Sequence, residues 1–235
     1  VWSFFRTFDK SMDKYKKHIM GDASEEPMPL YIIPDRKVSL ADVREGMRNH
    51  YEGTELSMTN DPGAGVYKVP YRWRPMTFKS EGREYFNERA IATQQTGFVL
   101  IAQMRSWLPD AVGGILWFGV DDANTAVLTP MYASITEIPE CYRRGNGSMT
   151  EFSWTSAFWI HNWVANMAYN RYEPMIRDIR PVQKELEDSY VDLVKNTDAK
   201  ALELLKSSPA QATAYLTEVC GKVANEATAR WKKLG

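Results

Sequence analysis

An α+β fold, an antiparallel sheet covered by helices, is what this chain predicts, and three observations predict it. Residues 97–135 carry three strand patterns in succession. Apolar residues at helical spacing recur from residue 155 onward. The region before residue 97 is cut by prolines and glycines into loops and one short capped helix. The order of elements therefore divides the domain 1–235 into a loop-and-strand part (1–150) and a helical part (151–235), with no internal repeat and no low-complexity linker.

In residues 1–20, Trp2, Phe4, Phe5, Phe8 and Met12 fall between the helix and strand templates, and a helix is expected from Phe8 onward. Pro27, Pro29 and Pro34 interrupt any regular element over 21–37. Ser39-Leu40-Ala41-Asp42 reads as an N-terminal cap, Val43 and Met47 share the helical face behind it, and Gly53 is placed to end the helix near Tyr51. Residues 54–82 read as a long irregular segment, and loops of that length in compact domains are functional or mobile. Its Gly63 and Gly65 match neither the P-loop nor the dinucleotide fingerprint, so a plain turn is expected. Arg72, Trp73 and Arg74 suggest a structural cation–π pair.

The meander follows as strands over 97–107, 114–120 and 126–135. Leu108-Pro109-Asp110 and Asp121-Asp122-Ala123-Asn124 carry the turn chemistry between them. Side chains alternate along a strand, so Phe98, Leu100, Ala102 and Met104 make one apolar face. The other face begins with Val99 and Ile101 and turns polar at Gln103 and Arg105. A strand apolar on two sides is expected between two covering layers. Gln103 and Arg105 must then find partners: Arg105 in an ion pair with Asp121 or Asp122 across the hairpin, or both residues facing a substrate. Pattern alone favours the structural reading.

Pro139 to Gly147 is a connecting loop, after which Ser153, Thr155 and Ser156 offer caps to a helix whose face is Ile160, Trp163, Val164, Met167 and Ala168. Pro174 and Pro181 are expected to break or kink it, giving two or three helical pieces over 155–195, with Val182, Leu186 and Leu193 as a further stripe. Pro209 stands near the start of a last helix with the face Leu216, Val219, Val223, Ala227 and Trp231.

The totals exclude several function classes. With 235 residues, 44% apolar and a formal net charge of −1, the chain can bury a core but has no basic excess for nucleic acid. The longest apolar run, 113–120, is too short to cross a bilayer. The aromatic content (8 Trp, 12 Tyr, 9 Phe) points to layered packing. Cys141 and Cys220 make no disulfide scaffold, although one bridge remains open. His18, His50 and His161 lie apart and match no metal-ligand spacing, so each reads as a lone structural or surface histidine, and no metal or cofactor is expected. No G-x-S-x-G, Walker or kinase motif occurs. Cys141 lies in a loop beside Arg143 and Arg144, which would lower a thiol's pKa; no histidine is near it in sequence, and an inert thiol is the expectation. Cys220, beside Val219 and Val223, reads as core. The chain opens at Val1 in what reads as mid-element, which predicts a processed or truncated beginning.

Several long segments carry a resemblance. HYEGTELSMTNDPGAG (50–65), YRWRP (71–75), ERAIATQQTGF (88–98), QMRSWLPDAVGGILWFGVDDA (103–123), TPMY (129–132), TSAFWIHNWVANMAYNRY (155–172) and VQKELE (182–187) resemble the bacterial dipeptidase D/dipeptidase A family of cysteine peptidases. The resemblance runs over most of the chain and is strongest from about residue 50 to 190. It implies an N-terminal-nucleophile hydrolase: a four-layer αββα sandwich in which a cysteine at the mature N-terminus attacks the amide bond of a short peptide, with no metal or cofactor. Here residue 1 is Val1 and no cysteine precedes Cys141, so the resemblance implies a C-terminal portion whose nucleophile sits on a preceding half. That half is then a partner, alongside the short peptide substrate. The wider group includes penicillin V acylase and bile-salt hydrolase, in which a strand arginine lies near the nucleophile. By position that part falls to Arg105, with Gln103 beside it and Gln94 and Gln95 at the strand's start, to hold a dipeptide's carboxylate or steady the thiolate. Relatives include cytoplasmic and exported forms. The competing reading is a non-catalytic module that binds a protein or glycan through the aromatic loops 66–78 and the C-terminal helices.

Overall fold

Short helical turns precede the sheet in the computed structural model, which describes residues 1–22, 24–72, 77–86 and 89–235. α1 (Trp2–Phe8) stops where Asp9 turns extended and its carboxylate accepts from the Ser11 N–H at 2.8 Å; a 3-10 turn (Lys10–Tyr15) and α2 (Lys16–Ile19) follow. Helical turns thus follow Phe8, as expected, but as two short pieces, and a further helix lies ahead of it; the break falls at Asp9, where a local side-chain bond competes with the helical ladder. α3 (Leu40–Met47) starts with the reciprocal box its sequence promised: Asp42 N–H donates to Ser39 Oγ at 3.2 Å, and Ser39 N–H to the Asp42 carboxylate at 2.8 Å. It ends at Met47, short of Tyr51, whose backbone is left-handed with φ 66°.

Within the segment read as irregular, Asp61 caps a 3-10 turn (Pro62–Ala64) and pairs with Arg72, which also donates to the Met58 carbonyl at 2.9 Å. The Gly63–Gly65 stretch is therefore a turn. Trp73 and Arg74, the rest of the expected cation–π cluster, lie outside the described residues. A hairpin closes the segment: β1 (Thr77–Ser80) pairs antiparallel with β2 (Arg83–Phe86) around Glu81-Gly82, both at positive φ. Two left-handed residues give the turn whose twist matches the flanking strands, and the Glu-Gly pair was the sequence signal for it.

The meander is β3 (Phe98–Met104), β4 (Gly114–Val120) and β5 (Thr129–Tyr132), antiparallel in that order, with the one-turn α4 (Asp110–Gly113) before β4. Gly119 is required where it stands, because a Cβ there would meet the Val127 carbonyl oxygen at 2.9 Å. The third strand is shorter than the expected 126–135. Backbone groups just before it pair with side chains instead of a strand: the Leu128 N–H with Glu187 at 3.0 Å, and the Ala126 carbonyl with Gln183 at 2.6 Å and Arg48 at 3.3 Å.

The helices are α5 (Ala157–Asn170), α6 (Tyr172–Leu205) and α7 (Pro209–Trp231). The break falls at Arg171 (φ −142°, ψ 60°), so Pro174 sits in the first turn of α6, where an N–H has no intrahelical acceptor in any case. Pro181 lies inside α6 and does not end it. The turn around it is tied to the sheet, since Arg180 and Gln183 both donate to the Asn124 carbonyl, at 3.1 and 3.2 Å. One core joins Ile115, Trp117, Leu128 and Tyr132 of the sheet and its turn to Ile160, Ile179, Leu216 and Trp231 of the helices. Each such large side chain contributes roughly 1.5–3 kcal/mol by leaving water. Both cysteines are free and buried, and Cys220 is in the core, where its Sγ accepts from the Tyr132 N–H at 3.3 Å.

The helices cover one face of the sheet, not two. Val99, Ile115, Trp117 and Tyr132 are buried beneath them, while Phe98, Leu100 and Met104 on the other face are 58%, 43% and 76% exposed. The first strand, expected between two layers, is covered on one face only within this chain.

Candidate active site

Gln103 and Arg105 leave β3 on the helix-covered face. The Arg105 guanidinium binds the Asp198 carboxylate of α6, with Nη2 to Oδ1 at 3.1 Å, and donates to the Val112 carbonyl at 2.5 Å. Tyr132 completes the arrangement, donating its hydroxyl to Asp198 at 2.7 Å beneath the cation. The ion-pair partner expected across the hairpin, Asp121 or Asp122, is therefore Asp198 instead: side-chain alternation aims Arg105 into the helix layer, and α6 supplies the acid there. Gln103 accepts from Trp117 Nε1 at 3.0 Å on the same side. Gln94 donates to Asn166 of α5 at 3.1 Å, and Gln95 accepts from Arg89. Gln94 and Gln95 precede β3 and Arg105 follows it, so the seven residues of the strand, a rise of roughly 20 Å, lie between them along the chain. The structure thus brings Gln103 and Arg105 to one side of one strand end, and Gln94 and Gln95 to the other end.

The open face carries a different set of features. Phe98 stacks on Phe118 at 6.1 Å, and the Tyr142 ring meets the Phe118 ring edge-on at 5.1 Å. Where Gly97 and Val120 end this face, a cavity of about 410 Å³ opens, bounded by Phe118, Tyr142, the 143–149 loop and Phe158 of α5. Cys141 lines it but is itself buried, and burial pushes its thiol up to about 11. That is the opposite of the shift a nucleophile needs, and the neighbouring arginines do not offset it. A second hollow of about 440 Å³ near α1 is rimmed by the ion pairs Arg6–Asp13 and Lys16–Glu55.

Behind the cavity lies a buried acidic turn that sequence reading treated as a hairpin loop offering an ion-pair partner to Arg105. Asp121 N–H donates to the Gly97 carbonyl at 2.9 Å, tying the turn to the cavity wall. Asp121 is left-handed (φ 73°), and burial followed by the charge of Asp122 pushes its carboxyl up to about 7. Asp122 accepts from the Asn124 N–H at 2.8 Å, the Thr125 hydroxyl at 2.7 Å and the Tyr169 hydroxyl at 3.1 Å. His50, read as a lone histidine, is wholly buried here, with Nδ1 3.1 Å from Asn124 Nδ2 and Nε2 3.2 Å from the Tyr169 hydroxyl. Those contacts fit the tautomer protonated at Nε2. Only the Asp-Asp-x-Asn-Thr cluster, dense in residues that bond their own backbone, could have signalled this turn in advance.

This is an α+β protein whose sheet has one sealed face and one open apolar face ending in a cavity. The chain belongs to peptidase family C69, whose family model matches residues 1–185. It is 26% identical to a probable dipeptidase B of Lactococcus lactis subsp. lactis over 91% of this chain and 40% of that protein. It is likewise 26% identical to a probable dipeptidase of Latilactobacillus sakei, over 97% of this chain and 46% of the relative. A dipeptidase A of Lactobacillus helveticus is 22% identical over 72% of the chain and 30% of its own length. The chain thus spans less than half the length of these curated relatives. Among the described residues no helix is long and apolar enough to cross a membrane.

Proposed function

We propose that this chain is the C-terminal part of a cysteine-type dipeptidase that cleaves short peptides through an acyl-enzyme, the attacking thiolate being carried by a preceding part of the same protein. One observation carries the reading: the apolar outer face of the sheet, with Phe98, Leu100 and Met104 exposed, is a surface of the kind that a further layer covers. A second sheet from the preceding part would lie on it and complete an αββα sandwich, and the greater length of the relatives leaves room for one. The thiolate would attack the peptide carbonyl, the amine would leave with a proton, and water would then release the acyl group. This chain contributes the covered sheet, the cavity and the acidic turn. Arg105 acts as a positioning residue that locks β3 to α6 through Asp198.

The purified chain alone is expected to show no dipeptidase turnover, and the full-length protein is expected to show it. Turnover by the chain alone that disappears on Cys141→Ser would overturn the assignment. Reading the gene upstream of Val1 is a second check: an in-frame segment bearing a cysteine supports the proposal, and a start codon immediately before Val1 sinks it.

A further inference from the structure

The cavity at the end of the open face has the volume and lining of a ligand pocket, and one arginine that lines it has no carboxylate partner among the described residues. At about 410 Å³ it lies within the range of small-molecule sites, and Phe98, Phe118, Val120, Tyr142 and Phe158 give it a largely apolar wall. The loop that closes it is built rather than slack. Gly147 has φ 81°, and a Cβ there would meet the Glu151 carbonyl at 2.9 Å. Trp159 Nε1 donates to that same carbonyl at 2.9 Å, and Asn146 Nδ2 donates to the Glu140 carbonyl at 3.0 Å. A loop held this way loses little freedom when a ligand binds.

Two arginines line the mouth, and they differ. Arg143 donates to the Ile138 carbonyl at 3.3 Å and stands 3.9 Å from Glu137. Arg144 is exposed and pairs with no carboxylate among the described residues. An apolar hollow lined by an exposed arginine with no carboxylate partner among the described residues is complementary to a small anion carrying an apolar side chain, and a guanidinium fork matches a carboxylate in particular. Arg105 is already filled by Asp198 and cannot also take a substrate carboxylate without giving up that partner.

We infer that this cavity is the specificity pocket of the enzyme, taking an apolar side chain of a short peptide while Arg144 holds the peptide's C-terminal carboxylate. The inference rests on the dipeptidase reading proposed above and adds what that reading leaves open: a preference for an apolar residue, and the side chain that holds the terminal carboxylate.

The test uses the full-length protein with dipeptides bearing leucine, phenylalanine, alanine or glutamate, each as the free acid and as the C-terminal amide. Turnover of any dipeptide by the unaltered protein supports the functional reading, and its complete absence in a folded protein sinks that reading and this inference with it. Given turnover, Arg144→Ala is expected to raise KM for the free acids roughly 10- to 100-fold, as the loss of a charged hydrogen bond should. The amides should be unaffected, and Arg144→Lys should retain part of the binding. Phe158→Ala is expected to erode the preference for leucine and phenylalanine over alanine. If Arg144→Ala changes acids and amides alike, or neither, with an unchanged melting midpoint, the pocket assignment is wrong while the dipeptidase stands. A preference for glutamate would overturn it as well.

Discussion

The two faces of the same three strands behave as if they belonged to different proteins. On the helix side, Arg105 and Gln103 share a face with Val99, Ile115 and Trp117; every polar group there that is named above has a partner, and the apolar ones are sealed. On the outer side there is no polar group to satisfy on β3, only Phe98, Leu100, Ala102 and Met104, and large parts of them meet water. The inner face is finished by this chain's own helices. The outer one has the composition of a core and the exposure of a surface, the combination on which the proposed second layer rests.

Substitutions on the two faces should separate accordingly. The largest effect is expected from Asp198→Ala, which leaves the buried Arg105 cation unpaired and should cost about 3–5 kcal/mol in a guanidinium titration. The joint change Arg105→Met with Asp198→Leu should cost far less, because no stranded charge remains. Next, Leu216→Ala in the sealed core should cost about 2–5 kcal/mol, whereas Leu100→Ala on the open face of the isolated chain should cost less than about 1 kcal/mol. Equal losses at these two leucines would erase the contrast between the faces.

A pH-dependent effect of comparable size is expected at Asp121, where the two faces meet the acidic turn. Its carboxyl is raised from 3.8 to about 7, mainly by burial, so between those values the folded state holds a proton that the unfolded chain has released. Stability from this group is complete below the lower value and is lost as pH rises through the upper one. Asp121→Asn cannot ionise and tolerates the left-handed backbone. It should match the parent at about pH 4 and exceed it by roughly 4 kcal/mol at about pH 8, the full rise of the carboxyl's pKa being expressed above both values. Thermal midpoints at the two pH values check this, and an advantage confined to the acid side would refute it. The smallest change is expected from Leu100→Lys, within about 0.5 kcal/mol of the parent in the isolated chain. Light scattering should show less self-association. In the full-length protein the same lysine should be strongly destabilising if a second layer covers it.

How much of this was legible beforehand depended on the range of the interaction. The Ser39–Asp42 box, the β4 span 114–120 and the α7 face from Leu216 to Trp231 follow from neighbours within a few residues, and their sequence signals were enough. The end of α1 was missed because Asp9 bonds Ser11 locally, and the late start of the third strand, at Thr129 where 126 was expected, because Glu187 and Gln183 take up backbone groups that a strand would use. For the candidate site, alternation put Gln103 and Arg105 together correctly but could not say which face the helices would cover. Arg144 and the cavity carry no period or motif at all; they are a juxtaposition of a loop, a strand end and the start of α5.

The sequence by itself determined that this would be a meander followed by covering helices, where α3, α5 and α7 start, and which peptidase family its segments resemble, because periodicity, capping and long shared motifs are properties of the chain read in order. Only the tertiary structure decided that Arg105 answers to Asp198, that Cys141 is sealed, and that one sheet face stays open beside a cavity. Those outcomes turn on which distant groups reach the same few ångströms, and a carboxylate 93 residues away leaves no trace in the local pattern.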